Sequence, residues 1–177
     1  MNRKLLNSEL GRLSTEEYKT SDKSRFVVVL DNVRSRHNVG SAFRTADAFR
    51  AEGIYLCGIT AVPPCPEIHK SALGAEFSVD WKHFEDTADA VAELKSRGFT
   101  IVAIEQTENS VSLERFSPEK DRSYAFVFGN EVKGVKQEVV DQADFSIEIP
   151  QFGTKHSLNV SVSIGVILWD YSSKNLL

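Results

Sequence analysis

Short apolar runs separated by amphipathic stretches set the rhythm of this chain. Residues 25–31 (RFVVVLD), 99–105 (FTIVAIE) and 123–129 (SYAFVFG) are nearly continuous apolar segments. Runs of that length, rich in β-branched and aromatic residues, predict strands buried on both faces. Residues 54–58 (IYLCG) read as a further strand, 79–84 (VDWKHF) as a short one, and 144–150 (DFSIEIP) alternates up to a proline. Between them lie helical patterns. Residues 38–53 place Ala42, Phe43, Ala46 and Phe49 on one face and end at Gly53, as a helix closing on glycine does. Residues 85–98 have an acidic first turn, a basic last turn and a closing glycine, and 135–143 form a short helix. Residues 59–78, with three prolines, read as an irregular connection holding one helical turn.

The first 24 residues are polar, with Leu5, Leu6, Leu10 and Leu13 at roughly helical spacing. They predict an N-terminal helical extension (1–24) that docks on the body of one domain (25–177). Strands alternating with helices imply an α/β fold with a parallel sheet. Ligands bind such sheets in the loops beyond the carboxyl ends of the strands. Here those loops are DNVRSRHNVG, EQTENS, GNEVKG and PQFGTKHSLN, the polar, glycine-rich and asparagine-rich pieces of the chain.

Residues 153–165 (GTKHSLNVSVSIG) pull two ways. Val160, Ser161, Val162, Ser163 and Ile164 alternate as a half-buried strand does, whereas the polar opening through Asn159 suits the start of a helix. Pattern alone favours the strand.

Composition narrows the class. The 177 residues are 41% hydrophobic and 26% charged, with a net charge of −4, as in an ordinary globular domain. No apolar run reaches the roughly 18 residues of a membrane span, and the N-terminus lacks the apolar core of a signal peptide. Cys57 and Cys65 form no metal or redox motif, so a reduced cytoplasmic setting is expected. The acidic total argues against a generic nucleic-acid binder. Even so, Arg34, Arg36, His37 and Arg44 lie close together, as a solvated loop or as a local phosphate-binding patch. The dinucleotide fingerprint G-x-G-x-x-G does not follow the first strand.

Three blocks taken together resemble the SpoU (TrmH) branch of the SPOUT RNA methyltransferases. They are RSRHNVGSAFRTAD (34–47), with Asn38, Gly40 and Arg44; FVFGNEVKGV (126–135), with Gly129, Glu131 and Gly134; and IEIPQFGTKHSLNVSVSIGVILW (147–169). The resemblance extends over residues 26–172 and implies a parallel-sheet SPOUT fold with a C-terminal deep trefoil knot over about 125–172. It also makes the segment after Asn159 a helix, with Ser161 and Gly165 on one face and Leu158, Val162, Val166 and Trp169 on another. The implied cofactor is S-adenosyl-L-methionine, with no metal, contacted by Gly129, Ile149 and Leu158 and closed on another side by Gln106 and Thr107.

The implied reaction is methyl transfer to a ribose 2′-hydroxyl of RNA, with Arg44 at its centre. A guanidinium with a pKa above about 12 is a poor base, so holding the target phosphate and polarising the hydroxyl suits Arg44 better. Asn38 and Asn159 orient substrate or loop backbone, or cap helices. Glu131 accepts hydrogen bonds that fix the arginine or a loop amide. Ser157 contacts the substrate hydroxyl or caps the last helix, and His37 and His156 are proton acceptors, phosphate contacts or solvent-exposed side chains. The resemblance further implies a homodimer, with Phe152, Leu168, Trp169 and Tyr171 as interface or core residues. The short leader favours tRNA over rRNA as partner. An rRNA methyltransferase and a non-catalytic RNA-binding factor stay open as alternatives.

Overall fold

In the computed structural model, which describes residues 2–175, every one of the apolar runs is a strand. The ends of the expected extension and domain, Met1 and Leu176–Leu177, lie outside the described residues. The strands are β1 (Ser24–Asp31), β2 (Ala51–Cys57), β3 (Trp81–Phe84), β4 (Thr100–Ile104), β5 (Val111–Ser112), β6 (Tyr124–Phe128) and β7 (Phe145–Glu148). They form one sheet in the order β3-β2-β1-β6-β4-β7-β5. All of its pairings are parallel, so the carboxyl ends of the strands share one edge.

Alternation along β1 explains why its run is continuously apolar. Phe26, Val28 and Leu30 enter one core, packed by α2 (Arg36–Ala48), α3 (Pro66–Ala72) and α7 (Val160–Asn175). Val27 and Val29 enter the other, covered by α5 (Thr87–Ser96) and α6 (Gln137–Gln142). Successive side chains point to opposite faces, and a sheet covered on both sides leaves no polar face.

The segment beginning at Asn159 is a helix. Asn159 Oδ1 accepts the Ser161 amide at 2.9 Å, an N-cap bond to the second helical residue. Its buried face is Val160, Ile164, Ile167, Leu168 and Tyr171, a helical spacing that the Val-Ser alternation conceals. The expected apolar face is the outer one: Val162 and Trp169 are 50% and 58% exposed. Leu168 and Tyr171 are core, whereas Phe152 is 97% exposed.

Three other expectations change. The chain turns at Arg50, whose φ is 53°, so residues 51–53 already belong to β2 and not to the preceding helix. Residues 59–78 contain two helices, α3 and α4 (Ala75–Ser78); Pro66 occupies the first turn of α3, where its missing amide hydrogen costs nothing. Leu5, Leu6, Leu10 and Leu13 are exposed and do not dock. The contact of the extension with the core is instead Tyr18 of α1 (Thr15–Thr20).

Candidate active site

The loops after β1, β4, β6 and β7 meet at the carboxyl edge of the sheet. The loop after β6 is the most tightly held. Asn130 and Gly134 exchange backbone hydrogen bonds of 3.0 and 2.9 Å. Asn130 Oδ1 accepts the amides of Val132 and Lys133 at 2.9 and 3.1 Å, while its Nδ2 donates to the Asn32 carbonyl at 2.7 Å. Gly129 has no room for a side chain: a Cβ there would overlap the Gly134 and Val135 backbone. Backbone can therefore lie against backbone at this point.

Carboxylates staple this loop to its neighbours. Glu131 accepts the amides of Arg34 and Ser35, each at 2.9 Å, and Asn38 Nδ2 at 3.0 Å. Burial opposes the charged form of Glu131, but these three donors outweigh it and hold its carboxyl below the usual range. Asn38 in turn accepts Asn159 Nδ2 at 3.3 Å. Glu131, Asn38 and Asn159, one from each sequence block, thus form a single bonded series. At the start of α6, Asp31 accepts the Lys136 amide at 2.8 Å and the Thr87 hydroxyl at 2.6 Å.

Beside this series opens a cleft of about 1210 Å³. Gln106, Thr107, Gly129, Glu131, Ile149, Ser157, Leu158 and Asn159 all line it. Gln106 Nε2 donates to the His156 carbonyl at 2.9 Å, joining the loop after β4 to the one before α7. Asn38 reaches the group through Glu131 and Asn159. Arg44 is not brought there: it is exposed on α2, outside the cleft lining, and makes no hydrogen bond or ion pair among the described residues. Glu105, Asn130 and Asp31 also hold these loops and are not among the residues singled out in the sequence. For Glu105 and Asp31 the available signal was a carboxylate at the carboxyl end of a buried strand.

The sequence and the fold have counterparts in known proteins. Residues 25–169 match the model of the SpoU rRNA Methylase family. The chain belongs to that family. Its relatives include an uncharacterized tRNA/rRNA methyltransferase of Archaeoglobus fulgidus, 34% identical over 148 residues, which cover 83% of this chain and 64% of that protein. A TrmH-family protein of Staphylococcus aureus is 32% identical over 148 residues, 84% of this chain and 58% of its own. The chain thus spans about three fifths of the length of these curated relatives. Among solved structures, the A. aeolicus TrmH/SpoU tRNA modifying enzyme superposes with a TM-score of 0.78 at 30% identity, covering 90% of this chain and 79% of that one. The AdoMet-bound rRNA methyltransferase from Sinorhizobium meliloti gives 0.79 at 30% identity, covering 86% and 57%.

Proposed function

We propose that this chain catalyses transfer of a methyl group from S-adenosyl-L-methionine to a ribose 2′-hydroxyl of RNA. The observation that carries this reading is the bonded series Glu131–Asn38–Asn159 at the edge of the cleft. It unites three segments far apart in sequence where a reacting group would have to be held.

The cleft suits the donor. Gly129 offers close approach to backbone, and Ile149 and Leu158 offer apolar surface. Glu105, Glu108, Glu131, Asp141 and Glu148 outnumber Lys133 and His156 in the lining, an electrostatic setting that favours a sulfonium cation. The S. meliloti relative was solved with AdoMet bound. The donor supplies a methyl group already activated by its positive sulfur, so the protein's work is alignment of the hydroxyl and removal of its proton. In this reading Gln106, Thr107, Gly129, Ile149 and Leu158 hold the donor. Asn38, Glu131, Ser157 and Asn159 order the RNA side. Arg44 binds the target phosphate and polarises the hydroxyl.

Arg44 lies outside the cleft of its own chain, so the proposal includes a homodimer in which it serves the cleft of a second copy. Exposed Val162 and Trp169 on α7, with Phe152 nearby in sequence, supply apolar surface for that contact. The trefoil knot over about 125–172, and residues 25–177 as the catalytic unit, belong to the same proposal. A tRNA substrate is favoured because the A. aeolicus relative, a tRNA modifying enzyme, is matched over 79% of its length. The S. meliloti relative, an rRNA methyltransferase, supports rRNA as the second reading. Mapping 2′-O-methyl sites in total RNA with and without the protein distinguishes them: sites gained in tRNA support the first, sites gained only in rRNA the second.

A further inference from the structure

Of the acidic side chains in the cleft that belong to none of the three sequence blocks, Glu105, Glu108 and Asp141, one holds two backbone amides. Glu105 follows β4 directly and is half-buried in the cleft wall. Its Oε2 accepts the Val135 amide at 2.9 Å, and its Oε1 accepts the Gln106 amide at 3.0 Å. Gln106 then reaches the His156 carbonyl at 2.9 Å. The dipeptide Glu105–Gln106 therefore connects three cleft walls: its own loop, the loop after β6, and the loop that leads into α7.

The fit around Glu105 is close. Gly134 has φ of +68°, and a Cβ there would overlap Glu105 Oε2. The next amide, Lys136, goes to Asp31, which is fully buried and outside the cleft lining. Two neighbouring amides are thus held by carboxylates from two strands, and of these carboxylates only that of Glu105 faces the cleft. A carboxylate can accept both of its amides, whereas a glutamine presents one acceptor oxygen and one donor nitrogen. Hydrogen bonds to the charged form are also about twice as strong as neutral ones.

We propose that Glu105 is a positioning residue for the methyl donor. It sets the separation of the two donor-binding walls by holding the Val135 and Gln106 amides at once. The assignment rests on the reading of the cleft as a donor site.

The test is calorimetric titration of S-adenosyl-L-methionine into the full chain as wild type, E105Q, E105A, G134A and E105A/G134A, with tRNA affinity and thermal melting measured alongside. Loss of one charge-assisted hydrogen bond predicts donor affinity lower by on the order of tenfold in E105Q, and lower still in E105A. Binding of tRNA is retained, and the donor KM rises more than kcat falls. G134A weakens donor binding in the wild-type background. Its further effect in E105A is smaller, because the oxygen it would meet is gone, so the two losses do not add. Donor affinity within about twofold of wild type in both Glu105 variants overturns the assignment alone, as does strict additivity. A joint fall of tRNA affinity, donor affinity and melting temperature also overturns it, since that marks general loss of structure. A wild-type protein that gives no binding heat overturns the functional reading and this assignment with it.

Discussion

Asn38 Nδ2 donates to Glu131 Oε1 at 3.0 Å across 93 positions of sequence. This bond ties the first turn of α2 to the loop after β6, and the same carboxylate holds the Arg34 and Ser35 amides. Removing the acceptor frees three donors at the edge of the cleft. Glu131→Ala is expected to slow methyl transfer by at least about tenfold, the rate equivalent of one hydrogen bond to a charged group. Single-turnover rates measure it; a rate equal to wild type would remove Glu131 from the proposed machinery.

The same group sets an acid limit. The folded-state pKa of Glu131 lies below its ordinary value of 4.5. A depressed carboxyl contributes stability above the unfolded-state pKa and loses it as pH falls through the folded value. Melting temperatures of wild type and Glu131→Gln should therefore differ by a constant amount at neutral pH and converge as pH falls below the ordinary carboxyl value of 4.5. A difference that widens on acidification would reverse the sign of the assignment.

Asn159 separates capping from substrate ordering. Its Oδ1 accepts the Ser161 amide at 2.9 Å and the Ser161 hydroxyl at 2.6 Å, while its Nδ2 donates to Asn38. Asn159→Ala removes both roles and should cost about 1 kcal/mol of stability, a fall of roughly 2–4 °C in Tm for a chain of this size. Asn159→Asp keeps the capping oxygen and loses the donor. It should melt close to wild type yet transfer methyl groups more slowly. Equal rates for Asn159→Asp and wild type would leave Asn159 with capping alone.

Gly40 marks a close helix contact. A Cβ at this position would overlap Ser71 Oγ and the Ile68 carbonyl of α3, and the residue is buried. The backbone carbonyl cannot swing aside as a flexible side chain could. Gly40→Ala is expected to destabilise by about 1–3 kcal/mol through overpacking, read as a lower midpoint in urea at unchanged slope. An unchanged midpoint would show that α2 and α3 can separate freely.

Much of the fold was legible because burial on both faces of a parallel sheet writes itself as continuous apolar runs such as 25–31. Other parts were hidden for identifiable reasons. Gly53 looked like the end of a helix because Arg50, a residue that seldom takes positive φ, makes the turn. Residues 59–78 hold two helices where one helical turn is expected, because Pro66 at a first helical position reads like a breaker. The last helix carries apolar residues on both faces, so a Val-Ser alternation overlaid its true spacing. Of the candidate site, the pattern of the three blocks picks out Glu131, Asn38 and Asn159, which the structure bonds together, and Arg44, which it leaves outside the cleft. Glu105 was not legible, because its role comes from Val135 and Gly134, which no local signal places beside it. The N-terminal leucines misled since helical spacing says nothing about whether a partner surface exists. None of residues 2–13 is buried.

In the function proposed here, this cleft delivers a methyl group to ribose. The most direct test is incubation of the protein with unmodified tRNA, unmodified rRNA and isotopically labelled S-adenosyl-L-methionine, followed by digestion to nucleosides and mass spectrometry. Label should appear as 2′-O-methylnucleoside with wild type and be lost with Arg44→Ala, whose donor affinity stays near wild type. Label on a base, no label in either RNA, or undiminished labelling by Arg44→Ala would contradict the account.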